Sequence, residues 1–275
     1  MQKTGIDTGG TYYESSKMFH GSLQNIMGTR FDILIIDQNK LKSQEIWNDM
    51  VFELQRLDRI FNRFDSTSET SKINREAILE PVHVSLEMWT ILKSCREYNI
   101  RTLGLFDITL DDFSKVLLDE REHTVIFLKK EMSLDFGGYA KGYALAKIKD
   151  LIHQAGVKHC FVNFGNSSIL GVGHHPYGDA WKVSIENPYN PDEALDEISL
   201  RDEALSVSGN TPAYTGHIVR PASGETVKER KVVSITSKEP LEAEILSTAF
   251  MVATREEKKC LSGNFEIKNI IEYSL

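Results

Sequence analysis

"LDFGGYAKGYALAK", Leu134 to Lys147, is the stretch on which the reading of this chain turns. An apolar run stops at two adjacent glycines, Gly137 and Gly138. A third, Gly142, follows four residues later, and an amphipathic segment begins. Glycine inside regular structure costs about 0.5–1 kcal/mol relative to alanine. Three so close together mean either a tight strand-to-helix connection or a backbone that must come near something bound. The bend is not a P-loop, because Lys141 is followed by Gly142 rather than a hydroxyl residue, and it lacks G-x-G-x-x-G spacing.

Outward from the bend, the chain mixes short strands and helices without steady strand–helix alternation. Upstream, "TRFDILIID" (29–37) reads as a strand. "SQEIWNDMVFELQRLDRIFNRF" (43–64) reads as a long helix, with Ile46, Met50, Leu54, Leu57, Phe61 and Phe64 at three- and four-residue steps. "DSTSETSKINRE" is a loop or short helical turn. "SLEMWTILKSCREYN" (85–99) is a second helix with Ser85 as its N-cap. "HTVIFL" and "MSLDF" read as two short strands joined at Lys129–Glu131. Downstream, a helix runs to about Gln154, and "HCFVNF" and "SSILGVG" are consecutive strands around Gly165. "AWKVSIENP", "EISL", "ALSVSG" and "VVSITS" are further strands. "PLEAEILSTAFMVATREEKK" (240–259) is a helix and "FEIKNIIEYSL" a closing strand. The pattern predicts an α+β fold, with mixed or antiparallel sheets and packed helices. Residues 1–25, polar and without period, read as a disordered or loosely attached arm ahead of one domain over 26–275.

Composition narrows the function classes. A formal charge of -8 and a pI near 5.6 argue against a nucleic-acid partner, which needs clustered Lys and Arg. An anionic substrate would need a local cation, and a metal ion is one candidate. Cys95, Cys160 and Cys260 share no metal-type spacing and read as reduced, buried thiols. No run is long and apolar enough to span a membrane. The start of the chain lacks the apolar core of a secretory signal, so a cytoplasmic location is expected as given, and a periplasmic one if a leader or lipobox has been removed.

Three further segments hold side chains suited to chemistry. In "EAEILSTAF", Glu244 and Thr248 lie four apart and share a helix face, a carboxylate and a hydroxyl suited to a hard cation such as Mg²⁺ or to an ordinary polar face. In "SGNTPAYTGHIVRPASGE", His217 stands in a glycine- and proline-rich loop of the kind that displays functional side chains. "FDIT" (106–109) is either a strand start with Phe106 in the core or part of a site.

In order, the chain reads "MGTRFDILI", "SETSKIN", "LFDIT", "LDFGGYAKGYA", "VNFGN", "LSVSG", "GHIVRP" and "AEILSTA". This succession resembles the FAD:protein FMN transferase family, the ApbE-like proteins, over about residues 27–250. The resemblance implies a single compact ApbE-like, T-fold-like domain. It also implies a Mg²⁺-dependent enzyme that splits the FAD diphosphate, passes FMN to a threonine of an acceptor protein and releases AMP. It would place Met27, Phe106 and Asp107 at the flavin and adenine pocket, with Gly137, Gly138, Lys141 and Gly142 at the diphosphate, and would count Ser208 and Gly209 among the cofactor-binding residues. Ala140 (through its carbonyl), Glu244 and Thr248 would hold the metal; Glu244 and His217 would be catalytic, with His217 near the reacting phosphate or the acceptor hydroxyl as a proton acceptor. Against the family pattern this chain has Glu244 for an aspartate, Asn166 for a second glycine, Arg220 for an acid or amide, and Phe64 where a tyrosine is usual. The segment between "FDIT" and "LDFGG" is short. These departures leave two alternatives beside the transferase: an FAD-binding protein with weakened catalysis, and an FAD pyrophosphatase yielding FMN and AMP.

Overall fold

The structure, a computed structural model, describes residues 8–212, 214–221 and 223–275. Its spine is an eight-stranded antiparallel sheet. The strands are β1 (Thr8–Tyr13), β2 (Met18–Ile26), β3 (Thr29–Ile36), β7 (Cys160–Phe164), β8 (Ser168–Val172), β11 (Glu203–Gly209), β12 (Lys231–Ser237) and β13 (Asn269–Ser274), in that spatial order. Against one face pack α1 (Lys40–Phe61), α4 (Ala140–Gln154) and α5 (Pro240–Val252). The opposite face is covered by the hairpin β9 (Trp181–Asn187) and β10 (Asn190–Leu200), which buries Trp181, Ile185 and Leu200 against Ile169 and Leu205. α2 (Glu69–Glu76), α3 (Leu86–Arg101) and a small sheet ordered β4 (Val82–His83), β6 (Thr124–Phe127), β5 (Val116–Asp119) close one end. The last helix, α6 (Arg255–Asn264), leads into β13. This is the α+β architecture the sequence predicts. Among the described residues no helix is long and apolar enough to cross a membrane.

Several expectations are corrected. Residues 8–25 are not an arm: β1 and β2 form a hairpin paired onto β3, and Phe19 and Leu23 are fully buried. The expected disorder of residues 1–7 lies outside the described residues. "MSLDF" forms no ladder; the partners of β6 are β4 and β5. Leu134 is tied instead to the Asn74 side chain, through Leu134 N–H to Oδ1 (2.6 Å) and Nδ2–H to the Leu134 carbonyl (3.0 Å). The expected 240–259 helix is two helices. α5 ends at Val252 with Ala253 as its C-cap, and Thr254 opens α6 with a capping box completed by Glu257. Cys95 and Cys160 are buried, and burial raises both thiol pKa values; Cys260 is exposed.

Candidate active site

The glycine bend delivers the chain to α4 at a helix start without a side-chain cap; its N-cap residue is Tyr139. The Phe136 carbonyl accepts from Tyr139 N–H (2.9 Å) and Ala140 N–H (2.8 Å), closing the turn. Asp135 fixes the approach by accepting Gly137 N–H at 2.8 Å and pairing with Arg63 at 3.0 Å. Asp135 N–H in turn donates to the Ile108 carbonyl at 2.6 Å. "SETSKIN" and "FDIT" therefore meet at "LDFGG" although they are far apart in sequence.

α5 lies along α4 so that two pairs face each other, Gly142 with Glu244 and Gly138 with Thr248. A Cβ on Gly142 would stand 2.5 Å from Glu244 Cβ and 3.0 Å from Leu241 Cα. One on Gly138 would stand 3.3 Å from Thr248 Oγ1. The spacing of Gly138 in the bend and Gly142 in the first turn of α4 matches the four-residue spacing of Thr248 and Glu244 on α5, which brings Lys141 and Glu244 together. Gly142 is thus required by helix packing, and the room it makes is filled by α5 rather than left for a ligand.

Glu244 is 4 % exposed, yet its carboxylate is satisfied. Oε1 accepts from the Lys141 ammonium, and Oε2 accepts from Ser168 Oγ–H (2.5 Å) and Ser206 Oγ–H (3.1 Å). The hydroxyl cluster continues outward: Ser206 bonds to Ser247 (2.9 Å) and Ser247 to Ser208 (2.8 Å). Thr248 donates to the Glu244 carbonyl (3.3 Å), which also lies 3.0 Å from Ser247 Oγ. The serines come from β8, β11 and α5, so the sheet and the helix share one polar seam beneath the glycine bend. Ser168, Ser206 and Ser247 were not singled out from sequence. The usable signal was the alternation of serines 206 and 208 on a strand otherwise apolar.

This donor set does not fit a divalent cation at Glu244. Both carboxylate oxygens are engaged, one of them by a full positive charge. Among the described residues no three His, Cys, Asp or Glu side chains are grouped as metal ligands.

Other expected site residues have different duties. Asp107 is buried and holds its own loop. It accepts Thr109 N–H (2.8 Å), Thr109 Oγ–H (2.7 Å), Phe113 N–H (2.9 Å) and Asn99 Nδ2–H (3.2 Å). Burial raises its pKa against those hydrogen bonds. Phe106 is in the core, stacked at 6.2 Å on Tyr139. Gly209 is closely overlaid by β12, with Lys231 O 3.0 Å from where its Cβ would stand. Met27, at φ +47° in the β2–β3 turn, donates its N–H to Asp58 at 3.0 Å. That turn leads to Thr29, which packs on Gly165. Asn166 there has φ +54°, a left-handed conformation that asparagine tolerates, so it can stand where a glycine would. It is braced by Asn163, whose Nδ2–H donates to Asn166 Oδ1 at 2.8 Å.

His217 lies on the connection that leaves β11 after Gly209. Its ring packs on Tyr214 at 4.2 Å between centroids. Lost hydration lowers its pKa, against a hydrogen bond with the Tyr214 backbone that works the other way. Arg220 anchors this connection to the start of α6, and Phe64, expected on the apolar stripe of the long helix, lies beyond the end of α1 and is 86 % exposed beside Arg63.

Comparison with known proteins agrees with this fold. The profile of the ApbE family matches residues 27–117 and 111–270. The FAD:protein FMN transferase of Chlamydia muridarum is 25% identical, over 82% of this chain and 80% of that protein. The FAD:protein FMN transferase of Vibrio cholerae is also 25% identical, over 84% and 80%. Among solved structures, the flavin transferase ApbE from Vibrio cholerae superposes with a TM-score of 0.79 at 20% identity, over 94% of this chain and 97% of that one. The ApbE protein from Thermotoga maritima gives 0.75 at 21%, over 93% and 90%.

Proposed function

This chain belongs to the ApbE family, and from that premise we propose that it is an FAD:protein FMN transferase. The observation that carries the proposal is the meeting of the uncapped start of α4, the Gly137–Gly138 bend and Lys141. The positive end of a helix dipole favours a phosphate, and a neighbouring ammonium adds charge. The FAD diphosphate is the group with that chemistry, and the relatives' names supply the same substrate.

In the proposed reaction a threonine hydroxyl of an acceptor protein attacks the FMN phosphorus, and the bond from that phosphorus to the AMP oxygen breaks. AMP leaves, and the hydroxyl proton passes to His217, which its lowered pKa keeps neutral at pH 7. Positioning and charge neutralisation do most of the work in such transfers. No step is routed through magnesium at Glu244, since that carboxylate is already engaged. The same engagement supports a second reading, in which the chain binds FAD without efficient transfer.

The test incubates the protein with FAD, Mg²⁺ and a candidate acceptor domain, then looks for flavin fluorescence on the denatured acceptor. Labelling with stoichiometric AMP is expected. AMP without labelling would replace the proposal with FAD hydrolysis, and tight FAD binding with neither product would leave the binding protein.

A further inference from the structure

We propose that Lys141 is the resident cation of this site. Its ammonium occupies the Glu244 carboxylate where a divalent ion would have to bind, so the nucleotide-free chain has no divalent-cation site at Glu244, and removing the ammonium creates one. The Lys141 side chain is 19% exposed and that of Glu244 5%, so the pair is formed largely out of water. A carboxylate offers about four lone-pair positions, and three are used by Lys141, Ser168 and Ser206. A small divalent cation needs near-octahedral oxygen ligands and gives up its water reluctantly. To reach Glu244 it would have to expel the ammonium and then remain beside it, placing two like charges in a poorly screened seam.

Without the ammonium the balance reverses. Glu244 Oε1 becomes a buried, unpaired anionic oxygen, a state that proteins avoid. The Ser168 and Ser206 hydroxyls lie on the same carboxylate, and Thr248 is one helical turn along. All of these are hard oxygen donors, which suit Mg²⁺ or Mn²⁺. Glycines 138 and 142 hold α4 and α5 in place whatever residue stands at 141, so the vacated space persists.

The experiment titrates Mn²⁺ into nucleotide-free protein and follows free manganese by electron paramagnetic resonance, in wild type, Lys141→Met, Glu244→Gln and the double variant. Lys141→Met should bind one Mn²⁺ at least tenfold more tightly than wild type, and the double variant should lose that gain. Glu244→Gln alone should leave wild-type manganese binding unchanged. Wild type and Lys141→Met binding equally would overturn the proposal. So would a wild-type site abolished by Glu244→Gln, and this second arm decides the matter if Lys141→Met does not fold. Because manganese is read without FAD or acceptor, the result is separable from whether the chain transfers FMN.

Discussion

Arg220 grips Glu257 with two hydrogen bonds, Nη2–H to Oε1 at 2.7 Å and Nη1–H to Oε2 at 3.1 Å, while Nη1 also donates to the Val252 carbonyl. One guanidinium thus joins the His217 connection, the end of α5 and the first turn of α6. Glu257 meanwhile accepts the Thr254 N–H that caps α6. The family pattern has an acid or amide at this position. Here an arginine takes it because α6 supplies a carboxylate to meet it.

The pH dependence of this clamp has a definite sign. The Arg220 hydrogen bonds, chiefly, pull the Glu257 pKa down to about 2. A depressed carboxylate contributes stability above its unfolded value, near 4.3, and loses it as pH falls through the folded one. The pair is part-exposed, so about 1 kcal/mol is expected after screening. Arg220→Ala should therefore melt a few degrees below wild type at pH 6, and the gap should close between about pH 4.3 and pH 2 in thermal scans.

His217 gives a kinetic prediction. A base that must be neutral works above its pKa, and burial lowers this one. The acid limb of the transfer rate should lie below the ordinary histidine value of about 6.5. His217→Ala should lower the rate about 100-fold or more with FAD affinity little changed. An acid limb above 6.5, or a fully active alanine variant, would remove His217 from the chemistry.

Asp107 separates a structural role from a binding role. Asp107→Ala leaves the Thr109 and Phe113 N–H groups without their acceptor. At about 1–3 kcal/mol for each stranded donor, denaturant unfolding should show a loss of several kcal/mol. FAD titration of the folded variant should be close to wild type; a large loss of affinity at unchanged stability would restore Asp107 to the ligand.

Gly142→Ala tests the helix contact. The added carbon would meet backbone atoms as well as Glu244 Cβ, so it cannot be relieved by turning a side chain. Overpacking of this kind costs about 1–3 kcal/mol, a fall of roughly 2–4 °C in Tm for each kcal/mol in a protein of this size. Calorimetry should show this, together with loss of transfer as Lys141 and Glu244 move.

Much of the scaffold was legible in the sequence. α1, α3 and α4 follow from apolar periodicity, and Ser85 caps α3 as its position suggests, accepting Met88 N–H at 3.1 Å. β2 was not, for a physical reason. Its inward positions are Phe19, Gly21 and Leu23, and the slot above Gly21 is filled by the Trp47 ring, 2.6 Å from where a Cβ would lie. A strand whose buried volume is lent by a helix carries little apolar signal of its own. "MSLDF" errs the other way: Met132, Leu134 and Phe136 alternate inward without any ladder, since alternation reports faces rather than pairing. α6 was missed although T-x-x-E at 254–257 marks its start. Of the site, the helix-face pair Glu244 and Thr248 was readable from spacing, but the occupant of the carboxylate was not, because Ser168 and Ser206 arrive from strands remote in sequence.

Backbone-to-backbone contact at Gly142 leaves no side-chain layer on which α4 and α5 could slide, so the two should breathe as one stiff unit. Their amide protons should exchange with deuterium together and slowly.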